Sequence, residues 1–143
     1  MTRFVYGGQS DQRRAAERRK DDAQTLLAGR RWRGAMYLMG YVIECTLKSK
    51  LMEKYGQRTL PALKGELSRR FARDVDLQTH NLDYLFDFLQ ARDRLDTTVA
   101  RALASCTRWS PGWRYYPDEG NEAECRDFLQ AAEILRGFIQ RSA

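Results

Sequence analysis

Between Leu26 and Leu51 the sequence reads LLAGRRWRGAMYLMGYVIECTLKSKL, a run of helix formers whose apolar residues go almost all the way round the axis. One stripe is Met36, Met39, Gly40, Ile43, Leu47 and Leu51, and a second is Ala35, Leu38, Val42 and Cys45. A surface helix needs one apolar face, so two faces predict a segment packed on both sides, the spine of a helical bundle. The same segment carries Tyr37, Tyr41, Glu44 and Lys48 on a single side, spaced so that each lies one turn from the next. Polar groups in line on so apolar a cylinder are where functional chemistry is first expected.

The chain has 143 residues, enough to bury a core without disulfides or a structural metal, and one domain over 1–143 is expected, with 1–10 as a flexible N-terminus. Cys45, Cys106 and Cys125 are odd in number, widely spaced and set at apolar helical positions, which reads as reduced thiols in a cytoplasmic protein. No metal site and no cofactor is expected, because no Cys/His spacing suits one. No stretch is apolar enough to cross a bilayer, and no membrane association is expected.

The net charge of +6 is unevenly spread. Residues 1–33 hold nine Lys/Arg against four Asp/Glu, and residues 115–143 reverse the balance with three against six. Twenty of the twenty-five cations are arginine, which suits two-pronged phosphate contacts, although an arginine-rich helix is equally a solvated face.

A first helix is expected from a cap at Ser10 to about Ala28, stopped by Gly29, and the central helix from about Arg31 to Lys54, stopped by Gly56. Pro61 opens a short helix that buries Leu63, Leu67 and Phe71. Asn81 caps a segment with Leu82, Leu85, Phe86 and Leu89 in one stripe. A further helix is expected over about Asp93 to Thr107, then a break at RWSPGWRYYPDEG, then a last helix capped by Asn121 that buries Phe128, Leu129, Ala132, Leu135 and Ile139. The fold class is therefore all-α: an antiparallel helical bundle of four long helices plus one short helix.

The central helix GRRWRGAMYLMGYVIECTLKSKL, the segment THNLDYL, the loop WRYYP and the last helix EAECRDFLQAAEILRGFI, in that order over about residues 22–139, resemble the HEPN domains. These are small helical bundles linked to nucleotide and RNA binding. The resemblance implies a homodimer, a small nucleotidyltransferase as partner in a toxin–antitoxin pair, and nucleotide or RNA as ligand. Branches of the family that cut RNA without a metal use an arginine and a later histidine with four to six residues between them, a spacing met here by Arg73 and His80 with six between. In those branches the motif lies later in the chain, where this sequence has WSPGWRYYP and no histidine. That difference favours the nucleotide-binding branch.

Three groups of residues follow as site candidates. Arg73 and His80 are the catalytic candidates, His80 as acid or base on a ribose 2′-hydroxyl; alternatively His80 only fixes its loop. Arg108, Trp109, Trp113, Arg114, Tyr115 and Tyr116 put cations among flat rings, which suits a base and its phosphate, or else the rings plug the bundle's end. The resemblance also marks the Arg114–Tyr115 pair. Tyr41, Glu44 and Lys48 can face the same cleft, with Glu44 expected to find a buried partner such as Arg114. The expected ligand-binding set is thus Tyr41, Glu44, Lys48, Arg108, Trp113, Arg114 and Tyr115. Two rival functions remain at this point: an endoribonuclease toxin acting through Arg73 and His80, and a non-catalytic protein-interaction module.

Overall fold

Side-chain oxygens mark where most helices begin. Thr59, Asn81, Asp96 and Asn121 each accept a hydrogen bond from the backbone N–H three residues on, at 3.2, 3.0, 2.8 and 2.8 Å. Each satisfies a donor that the first helical turn cannot use internally. The computed structural model describes residues 8–142 and gives six α-helices: α1 (Gln9–Ala28), α2 (Trp32–Lys54), α3 (Leu60–Phe71), α4 (Leu82–Asp87), α5 (Thr97–Cys106) and α6 (Glu122–Arg141). Short 3-10 turns lie at Arg92–Arg94 and Pro111–Tyr115. No strand is present among the described residues, and no helix there is long and apolar enough to cross a membrane.

The all-helical class is as expected, while the count and the directions differ. Three helices, α1, α2 and α6, reach 20 residues or more, and α3, α4 and α5 have 12, 6 and 10. The segment after Asn81 stops early because Gln90 adopts a left-handed conformation at φ 53°. The expected helix from Asp93 starts instead at Thr97, where the Asp96 carboxylate captures the Val99 N–H. Ser10 is not a cap: α1 already runs at Gln9, after Gly8. Of the N-terminus expected to be flexible, residues 1–7 lie outside the described residues, and 8–10 form an isolated bridge at Gly8 and the start of α1.

The turn from α1 to α2 is three residues long, and Arg30 rather than Gly29 takes the left-handed position (φ 63°) while Arg31 N–H returns to Leu26 O at 2.8 Å. So tight a return makes α1 and α2 antiparallel neighbours. Gly56 does close α2 as expected, at φ 66°, with Gln57 N–H reaching back to Met52 O. The α2–α6 pair runs parallel, against the expectation of an antiparallel bundle. Arg33 near the start of α2 meets Glu124 near the start of α6, and Lys50 near its end donates to Gln140 O. The long excursion through α3, α4 and α5 makes this direction possible, since it returns the chain to the end where α2 began.

Both apolar stripes of α2 are buried apart from Leu38 and Cys45, which are half-buried. Met36, Ile43, Leu47 and Leu51 are fully enclosed, each worth about 1.5–3 kcal/mol by burial. Helix α2 is thereby the fixed frame from which the polar line of Tyr37, Tyr41, Glu44 and Lys48 is presented.

Candidate functional site

Glu44 and Lys48 lie one turn apart on α2, and their side chains are only 7 % and 8 % exposed. Lys48 Nζ is 3.0 Å from Glu44 Oε2. The other carboxylate oxygen, Oε1, is 2.7 Å from Nδ1 of His80, which the chain brings in from the turn preceding α4. That turn is tied by Asn81 N–H to Thr79 Oγ1 and anchored by buried Leu82. An ionised carboxylate only accepts hydrogen bonds, so the proton of the neutral imidazole sits on Nδ1 and the Nε2 lone pair is left open. The His80 side chain is 46 % exposed. A buried acid thus orients a solvent-facing base.

Rings surround this dyad. Tyr41 stands edge-on to His80 (centroids 5.7 Å), to Trp109 (4.9 Å) and to Tyr37 (5.2 Å), and the Tyr37 hydroxyl is 3.3 Å from that of Tyr41. Trp109 donates its indole N–H to Tyr37 O at 3.0 Å and lies flat against Gly40, where a Cβ would fall 2.0 Å from the indole nitrogen. Glycine at position 40 is what lets the indole touch the helix. Burial foremost, then Tyr37 and the charge of Glu44, push the Tyr41 hydroxyl from 10.0 to about 12, with Arg114 pulling the other way. A raised phenol pKa contributes stability that is whole below pH 10 and is lost between pH 10 and about 12. In an alkaline absorbance titration, wild type minus Tyr41→Phe should therefore show no phenolate step near pH 10; an ordinary step there contradicts the packing described.

Arg114 approaches from the other side. Ser110 Oγ caps the Pro111–Tyr115 turn by accepting Gly112 N–H at 3.1 Å, and from this turn Arg114 lies over the Tyr115 ring at 4.7 Å. Hydrogen bonding to Tyr37 and then to Tyr115 raises the guanidinium pKa, so Arg114 lies beside the Tyr37–Tyr41 pair while remaining exposed. The loop beyond is pinned by Arg33. Its guanidinium meets Asp118 at 2.8 Å and Glu124 at 3.5 Å and covers the Tyr116 ring at 4.7 Å. The Tyr37–Tyr41 pair thus neighbours both a phosphate-type cation, Arg114, and an oriented imidazole, His80, with the buried Trp109 ring packed against Tyr41.

Four of the expected placements need correction. Arg73 does not join His80: its guanidinium lies over the rings of Tyr84 and Phe88, at 5.6 and 4.9 Å, and the group paired with His80 is Glu44. Lys48 is no ligand contact, because it is buried and engaged by Glu44. Glu44 takes Lys48 and His80 as partners in place of Arg114. Trp113 is a plug, buried against Phe128 with centroids 5.3 Å apart. Arg108 is exposed and makes no ion pair among the described residues, and Tyr115 is exposed beneath Arg114.

Gly40 and Arg33 are not among the sequence candidates, and Tyr37 and Trp109, although singled out by the sequence, lie outside the expected ligand-binding set. Tyr37 was legible as the i−4 neighbour of Tyr41, whereas the pairing of Gly40 with Trp109 spans 69 positions and has no local signature. The three thiols add no chemistry here. Burial pushes Cys45 and Cys125 to about 11 and Cys106 to about 12, so all stay protonated at neutral pH. Among the described residues no group of three or more His, Cys, Asp or Glu could hold a metal ion. A scan against protein-family models matches none, and neither the curated proteins nor the solved structures give a match.

Proposed function

We propose that the chain is a HEPN-like domain that binds the phosphate of a nucleotide or RNA on the surface formed by Tyr37, Tyr41, His80 and Arg114. The observation that carries this reading is the 2.7 Å bond from His80 Nδ1 to Glu44 Oε1, which leaves Nε2 of a half-exposed ring without a partner among the described residues, next to the Tyr41 ring of the Tyr37–Tyr41 pair that Arg114 also approaches. Arg114 supplies a forked donor for phosphate oxygens, the aromatic edges suit a base or ribose, and His80 Nε2 accepts from a ribose hydroxyl when the ring is neutral or donates to a phosphate oxygen when it is protonated. The resemblance adds a cytoplasmic homodimer and a small nucleotidyltransferase partner in a toxin–antitoxin pair.

Fluorescence anisotropy with a short labelled single-stranded RNA tests this. Arg114→Ala and His80→Ala should each weaken binding roughly tenfold, the scale of one charge-assisted contact. Arg73→Ala should leave the affinity unchanged. Equal affinity for all four proteins would show that the surface does not bind phosphate.

Metal-independent RNA cleavage is a second reading, favoured by the same Nδ1 bond, which is the arrangement a general base needs. Nε2 of His80 would take the 2′-hydroxyl proton as the 2′-oxygen attacks phosphorus. The P–O5′ bond breaks and leaves a 2′,3′-cyclic phosphate, and the departing 5′-oxygen takes a proton from water or from His80 of a second copy. Cleavage in EDTA by wild type and not by His80→Ala would select this reading over binding alone.

A further inference from the structure

On the side of α2 turned away from Glu44, helices α1, α2 and α6 enclose a recess of about 260 Å³. Its wall holds Arg136, whose side chain is 7 % exposed. A cation this deep in a helical core needs a partner, and the one it has is unusual: Glu17, 58 % exposed, reaches in from α1 to Arg136 Nη2 at 2.5 Å. Arg136 Nε rests against Thr46 Oγ1 at 3.3 Å. The Arg136 guanidinium favours the carboxylate and holds the Glu17 pKa below its ordinary value. Around this pair stand Lys50, the mostly buried Ser49 hydroxyl, and Arg13, which makes no ion pair among the described residues. Glu53 lines the same recess and lies 3.7 Å from Lys50.

The geometry points to a second ligand site here, for a small phosphate monoester. With Glu17 on Arg136 and Glu53 on Lys50, Arg13 remains as uncompensated positive charge at the recess. Glu17 is an exposed surface carboxylate occupying a buried arginine fork, and a phosphate is a better match for such a fork. On entering, the phosphate takes the place of Glu17 on Arg136, gains Arg13, and meets the Ser49 hydroxyl, while Glu17 swings out to water. The volume sets the size, since pockets for drug-sized ligands run from about 300 to 1,000 Å³. A sugar phosphate is of that size, and the recess is open to solvent on one side. The site shares no residue with the His80 surface, so it stands or falls separately from the function proposed above.

Isothermal titration calorimetry with ribose 5-phosphate, and with ribose as the uncharged control, tests the assignment. Ribose 5-phosphate should bind and ribose should not. Arg13→Ala, at an exposed position that leaves the core intact, should weaken binding roughly tenfold. Glu17→Gln should tighten it, because it removes the competing charge. His80→Ala and Arg114→Ala should bind as wild type does. Absence of binding, equal binding of ribose, or indifference to both Arg13→Ala and Glu17→Gln would overturn the site, as would loss of binding in His80→Ala, which would move the phosphate to the other surface.

Discussion

Glu44→Ala should destabilise the fold by about 3–5 kcal/mol, because it leaves the Lys48 ammonium buried without its counter-charge. Lys48 is 8 % exposed and Glu44 is its only ion-pair partner among the described residues. Removing both charges is a different experiment. Glu44→Leu combined with Lys48→Met fills the same space with apolar atoms, and replacement of a buried pair in this way is often neutral or stabilising. Urea denaturation should place the double variant near wild type and the single variant far below it. RNA binding should nevertheless be weak in both, since neither holds His80 by Nδ1. Stability restored together with full RNA affinity would mean that Glu44 serves the core and not the site.

The second large effect is expected at Gly40. An added methyl would sit 2.0 Å from Trp109 Nε1 and 2.1 Å from its Cε2, a clash with a rigid ring that is itself buried. Gly40→Ala gains about 1 kcal/mol in helix propensity. Against that stand overpacking, about 1–3 kcal/mol, and an indole N–H parted from Tyr37 O, about 1–3 kcal/mol more. A net loss of about 1–5 kcal/mol in chemical denaturation is expected. The displaced Trp109 also frees Tyr41 on its flank, so phosphate binding should weaken beyond what the lost stability explains. Gly40→Ala as stable as wild type would contradict the close approach of helix and ring.

The core of this molecule was legible because its signal is local and repeated. Two apolar stripes on one segment foretold that α2 would be wrapped, and Gly56 and Asn121 marked helix ends by backbone chemistry that needs only neighbouring residues. Directions were not legible. The parallel run of α2 and α6 follows from a detour of more than sixty residues, and periodicity within either helix is blind to it. The site shows the same division. Tyr41, Glu44 and Lys48 stood out as a polar line on a greasy helix. Charge points Glu44 toward a partner such as Arg114, whereas the histidine that fills the role lies 36 residues away with nothing but proximity in the fold to reveal it. The expected pairing of Arg73 with His80 fails for a related reason. Spacing along the chain matched a motif, but Ala72 turns left-handed at φ 53° just after α3, and Arg73 comes to lie over Tyr84 and Phe88.

His80 is the single histidine in the chain, so its imidazole gives one set of ring-nitrogen signals in a long-range ¹H–¹⁵N NMR spectrum. At a pH where the ring is neutral, the bond from Glu44 predicts a protonated Nδ1 and a bare Nε2, and a short single-stranded RNA should then move the Nε2 signal. A proton found on Nε2, or an Nε2 signal that RNA leaves where it was, would contradict the account.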